Sequence, residues 1–241
     1  MRLAALILLS ALAACRSVPP PPDTHIDGAP AAQVSRTEAL RIAEAYRLHA
    51  WVPGKANAFH GFDAHGIRVD TPDIDFQPGG ETRPGWWIAG RRNIGIPYQW
   101  GGFDTPATFD AKLRRGFYAG DIYTAQKRRE LDDAVSAQAC GIDCSGFISR
   151  CWRLGRSFST RELESLCTPL PDFADLRPGD LINKPNVHAL LFERFTDESK
   201  TVFQAYETGS PPTWKVERHT IPVDYVKGLG YRPFRYRRII D

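Results

Sequence analysis

A chain of 241 residues with 42% hydrophobic and 11% aromatic residues can bury the core of one or two domains, which excludes a disordered or fibrous protein. Its 31 basic and 28 acidic residues leave a formal charge of only +3. That is too even to predict a nucleic acid as partner, although a mildly basic surface suits an anionic polymer. The five cysteines include no CxxC pair, which argues against a structural zinc site.

Arg2 followed by the apolar run 3–12 has the form of an export signal, and the run is too short to span a bilayer. Ala13 and Ala14 precede Cys15, a pattern that resembles the bacterial lipoprotein cleavage box. The resemblance implies that residues 1–14 are a signal peptide and that Cys15 carries lipid. Arg16, rather than an aspartate, follows Cys15, consistent with sorting to an outer membrane. Residues 15–34 read as a tether, with prolines at 19–22 favouring extended geometry. The folded part is expected over 35–241 as a single domain, with an N-terminal extension at 35–85 and an insertion at 103–140.

Ser35-Arg36-Thr37-Glu38 predicts a helix entry with Ser35 or Thr37 as the cap. Leu40, Ile42, Ala43, Tyr46 and Leu48 carry its apolar face as far as the Pro53-Gly54 stop. Residues 57–84 are rich in Gly, Asp and Pro and predict loop with short strands, 67–70 among them. His60 and His65 stand there near Asp63, Asp70, Asp73 and Asp75, but their spacing matches no ligand set, so no metal is predicted. The charged segment 103–140 predicts helices over 109–117 and 123–135. They form either a solvated face or a wall beside a cleft.

The chemistry concentrates at 141–155. Phe147, Ile148, Cys151, Trp152 and Leu154 fall near one helical face. Asp143 and Ser145 suit the helix start, and Gly155 suits a left-handed cap at its end. Cys144 therefore sits at a helix N-terminus, where backbone N–H groups favour a thiolate and can donate to an oxyanion. Gly141 and Gly146 are expected to leave room for a substrate. Downstream, a Pro178-Gly179 turn feeds a strand, His188 opens a second apolar run, and 201–207 reads as a third. A thiolate needs a base, and the base needs an orienting partner on a neighbouring strand.

Tyr98-Gln99-Trp100-Gly101-Gly102, Asp143-Cys144-Ser145-Gly146-Phe147, Leu176-Arg177-Pro178-Gly179-Asp180-Leu181 and His188 follow one another within residues 86–210. In that order they resemble the NlpC-type cell-wall cysteine peptidase family. The resemblance implies an α+β, papain-like fold, in which N-terminal helices, including the one that opens at Cys144, pack on an antiparallel β-sheet carrying His188. It implies a thiol protease that hydrolyses amide bonds of peptidoglycan stem peptides, next to D-glutamate and diaminopimelate, without cofactor or metal. Cys144 is then the nucleophile and His188 its base. Tyr98, Asp143 and Ser145 line the groove, Ser145 toward the stem peptide's amino group. Partners are the stem peptides and, through lipid on Cys15, a membrane. The protein is expected to be a monomer at the outer membrane, facing the periplasm.

The third member is less clear-cut. Family members often carry His in a short motif ending in Ala. Aligned on Ala205, this chain has Gln204, whose amide can accept from the imidazole. Glu207, three positions on, falls on the other face of a regular strand and takes the role if a bulge intervenes. Cys140, Cys151 and Cys167 leave three possibilities: a Cys140–Cys167 bridge, a Cys151–Cys167 bridge, or three small buried apolar residues. Residues 214–241 predict a closing strand with its basic side exposed and no role for His219. The rival functions are a papain-like amidase or acyltransferase acting on another amide, and a wall-binding lipoprotein without turnover.

Overall fold

Helix α1 (Arg36–Leu48) starts where the cap signal places it: the Ser35 hydroxyl accepts from the Glu38 N–H at 3.1 Å. It buries Ala39, Ile42, Ala43, Ala45 and Tyr46 on one face. The computed structural model describes residues 30–76, 85–209 and 213–241. The expected signal peptide 1–14, the lipidated Cys15 and the tether as far as residue 29 lie outside the described residues. Among the described residues no helix is long and apolar enough to cross a membrane.

The segment 103–140 folds into α2 (Pro106–Arg114) and α3 (Ala125–Glu130), shorter than the periodicity predicts. Helix α3 stops because Leu131 turns to φ +54° and a 3-10 turn, Leu131–Ala134, follows. Helix α4 (Cys144–Cys151) opens under an Asp143 cap. It ends four residues before Gly155, because Arg153, not the glycine, takes the left-handed conformation at φ +56°. Helices α5 (Thr160–Leu163) and α6 (Val223–Gly228) are short.

Six strands form one antiparallel sheet: β1 (Cys167–Pro169), β2 (Leu181–Lys184), β3 (His188–Phe195), β4 (Val202–Thr208), β5 (Val216–Pro222) and β6 (Arg232–Tyr236). Their order across the sheet is β5-β4-β3-β2-β6-β1. With 29% helix and 30% strand, the fold is mixed α+β. Strand alternation sorts the core into two layers. Leu181, Ala189, Leu191, Tyr206 and Val216 pack with α1 and α4 on one face. Ile182, Leu190, Phe192, Phe203 and Ala205 pack with Val223 and Val226 of α6 on the other.

Asp180 of the Pro178-Gly179-Asp180 turn has a structural task. Its carboxylate is fully buried and pairs with Arg36 at 3.0 Å and Arg235 at 2.7 Å, so α1, the turn and β6 are fastened together. The Trp152 indole donates to Gly179 O at 3.0 Å and stacks on Tyr236 at 4.6 Å, fixing the far end of α4 to the same point. The basic C-terminal run is therefore not a bare solvated face. Arg235 is spent on Asp180, and Arg237 donates to Cys167 O and Ser165 O.

The described cysteines form no disulfide. Cys140, Cys151 and Cys167 are buried thiols in the core, and burial pushes the ionisation of each upward. Of the predicted pairings neither is made, and the three behave as small apolar side chains. His60 lies between Asp73 at 2.9 Å and Asp70 at 3.4 Å. Hydrogen bonds to Asp70 and Asp73 push its pKa up to about 9, so it is a cation clamped between two carboxylates.

Candidate active site

Two sequence motifs meet at the start of α4. Residues 98–102 run beside 141–143: Gln99 N–H donates to Ile142 O at 3.2 Å, Ile142 N–H to Pro97 O at 3.1 Å, and Asp143 N–H to Gly102 O at 3.1 Å. A Cβ on Gly146 would lie 2.4 Å from Gly102 O, and one on Gly141 would lie 2.5 Å from Pro97 O. These glycines therefore admit the protein's own backbone, not a substrate. They let the 98–102 segment approach closely enough to hold the helix entry. Asp143 closes the cap, its carboxylate accepting from Gly146 N–H at 2.5 Å and from the Ser145 hydroxyl at 3.0 Å. Burial lifts the Asp143 carboxyl to about 6, with those donors opposing the rise.

Cys144, the partly exposed first residue of α4, meets His188, the first residue of β3. The β2–β3 turn delivers the imidazole, with Asn186 taking φ +62° and Val187 N–H closing on Lys184 O at 3.0 Å. His188 faces the Cys144 side chain across the cleft and is electrostatically coupled to it, and its Nε2 lies 2.6 Å from Glu207 Oε2 on β4. Burial of the ring opposes protonation. The neighbouring Cys144 and Glu207 outweigh it and push the His188 pKa up to about 10. The ring therefore rests as an imidazolium between two acidic groups.

Glu207, not Gln204, fills the third position, and no bulge in β4 is needed. β4 pairs continuously with β5 from Val202 to Thr208. Phe203, Ala205 and Glu207 share the face that His188 shares with Leu190 and Phe192, while Gln204 goes with Tyr206 on the opposite face. Gln204 lies opposite Arg194, six residues along β3 from His188, or about 20 Å at the strand rise. Its Oε1 is buried without a hydrogen-bond partner. Alternation separates Glu207 from Gln204 as expected, but the face that matters is the one His188 occupies.

A second imidazole stands near Glu207 one strand further, its Nε2 without a hydrogen bond. His219 on β5 places Nε2 3.7 Å from Glu207 Oε1 and 3.3 Å from Glu217 Oε2. Glu217 foremost, and Glu207 with it, raise the His219 pKa. The sequence offered no motif around His219. Only the pairing of Ala205 with His219 brings it to the carboxylate.

The pair opens into a cleft of about 390 Å³. Tyr98, Asp143 and Ser145, all predicted to line a groove, do line this one. Burial, and then the neighbouring Cys144 and Asp143, hold the Tyr98 phenol well above its usual ionisation, so it stays a proton donor. The 121–135 arm supplies much of the remaining wall, including Tyr123, Arg128 and Leu131. Of the two readings of that segment, the wall describes its inner side. Lys127 anchors it from beneath, buried against Asp121 at 2.7 Å. Comparisons with family models, curated proteins and solved structures found no match to the chain.

Proposed function

We propose that this protein is a cysteine peptidase of the NlpC type, with a papain-like fold, that hydrolyses amide bonds of peptidoglycan stem peptides next to D-glutamate and diaminopimelate. The observation that carries this reading is the Cys144–His188–Glu207 line at a cleft, assembled from a helix N-terminus and two adjacent strands. A helix bearing the thiol packed on an antiparallel sheet bearing the imidazole supports the papain-like assignment.

The chemistry is acyl transfer. The Cys144 sulfur, its proton held by His188, attacks the amide carbonyl. The Cys144 N–H at the helix start and the Tyr98 hydroxyl donate to the oxyanion. His188 returns the proton to the leaving amine as the C–N bond breaks, leaving a thioester on Cys144. Water, deprotonated by His188, then hydrolyses the thioester and frees the thiol. Glu207 orients the ring and balances its positive charge throughout. Ser145 meets the amino end of the stem peptide, and Asp143, which caps α4, flanks the groove. Residues 1–14 are removed on export, and lipid on Cys15 holds the enzyme to the outer membrane, facing the periplasm.

Purified sacculi digested with wild type and with Cys144→Ala provide the test. Released muropeptides, identified by mass, should show a new amino terminus at one stem-peptide bond with wild type alone. Equal release by both proteins, or none by either, counts against the reading.

A further inference from the structure

The arm that walls the cleft also gives it a charge preference. Arg128 on α3 lines the cleft with its guanidinium 4.3 Å above the Tyr123 ring. Tyr123 meets Tyr98 edge-on at 5.8 Å, and both rings touch Trp214. Gly209 closes the other side, since a Cβ there would fall 2.4 Å from the Tyr98 ring. Arg128 is thus seated by a continuous aromatic stack that ends beside Cys144.

Neither Arg128 nor Arg161 of α5, which lines the same cleft, has a carboxylate within 4 Å among the described residues. Asp132 also lines the cleft one helical turn beyond Arg128, yet the two do not pair. Asp143 is spent on the α4 cap. Thr208 also borders the cleft, but its hydroxyl is shielded from solvent, so the two guanidinium groups are the polar donors that arm and α5 present there. The arm itself is stiff, with Lys127 tied to Asp121 at 2.7 Å and the Trp100 indole donating to Leu131 O at 3.0 Å. A guanidinium held on a stiff element matches a planar carboxylate in two parallel hydrogen bonds.

We propose that Arg128, with Arg161, binds a carboxylate on the acyl half of the substrate, so that the cleft selects a free carboxylate over its carboxamide. The inference rests on the amide-hydrolase reading above. On that reading the group is the free α-carboxylate of D-glutamate, as opposed to the amidated isoglutamine form.

The test compares L-alanyl-γ-D-glutamyl-diaminopimelate with its α-carboxamide counterpart. Wild type should favour the carboxylate about 10- to 100-fold in kcat/KM, the range of one charge-assisted recognition. Arg128→Gln should bring that ratio close to 1, chiefly through KM, and Arg128→Lys should restore part of it. Equal rates on both peptides with wild type, or a ratio that Arg128→Gln leaves intact, overturns the proposal. Calorimetry with Cys144→Ala separates the two readings, because it reports binding without turnover. Tighter binding of the carboxylate peptide upholds the carboxylate site even if wild type hydrolyses neither peptide. Equal binding of both peptides refutes it.

Discussion

The α4–sheet framework and the 121–135 arm face the same cleft but are held in different ways. Apolar layers on both faces of the sheet, together with pairing to the flanking strands, fix His188 and Glu207, so many small contributions share the task. The arm depends on few and individually large ones: the buried Lys127–Asp121 pair, the Trp100 indole on Leu131 O, and the Tyr123 stack. A framework of the first kind keeps its geometry when one contact goes. A wall of the second kind can be dislodged by one substitution, which suits a part that sets choice of substrate more than chemistry.

The comparison can be broken first at the relay. His188→Ala should lower hydrolysis of sacculi at least about 10³-fold. Glu207→Gln keeps the shape but loses the charge, and about 10²-fold or more in kcat should go with it. Gln204→Ala, on the same strand but the opposite face, should stay within about twofold. A larger loss at Gln204 than at Glu207 would reverse the assignment.

A stability effect of intermediate size lies in the arm. Lys127→Met leaves the buried Asp121 carboxyl, which burial already lifts to about 7, without its partner, at a cost of up to about 3–5 kcal/mol. Chemical denaturation should show that loss, while alkylation of Cys144 in the folded protein stays close to wild type. If the Cys144 rate collapsed as well, arm and framework would be one unit.

The smallest effect is a pH slope. The His188 pKa is raised from 6.5 to about 10 in the folded protein, so its stabilising contribution is complete below about 6.5 and fades as pH rises through 10. Urea midpoints measured from pH 6 to 10.5 should fall more steeply for wild type than for Glu207→Gln. Parallel slopes would mean that Glu207 is not what holds the proton.

What the sequence reveals follows from the range of the forces involved. Caps are local: Ser35 and Asp143 could be read from a few residues, and so could the strand that His188 opens. Glycine roles are less legible. Gly141 and Gly146 announce a close approach but not its partner, which proves to be backbone from the 98–102 segment. Gly155 looks like a helix stop, yet Arg153 takes the turn first. Glu207 and His219 depend on strand register, and register is a tertiary property. Asp180 sits in a recognisable turn, but its two arginine partners come from opposite ends of the chain.

Alkylation mapping puts the central claim to its most direct test. The folded protein is treated briefly with iodoacetamide at pH 6, and adducts on Cys140, Cys144, Cys151 and Cys167 are counted by peptide mass spectrometry. The relay predicts modification at Cys144 alone among these four, at a rate that falls at least about tenfold in His188→Ala. Adducts spread over the buried thiols, or a Cys144 rate indifferent to His188, would contradict a sulfur activated by that imidazole.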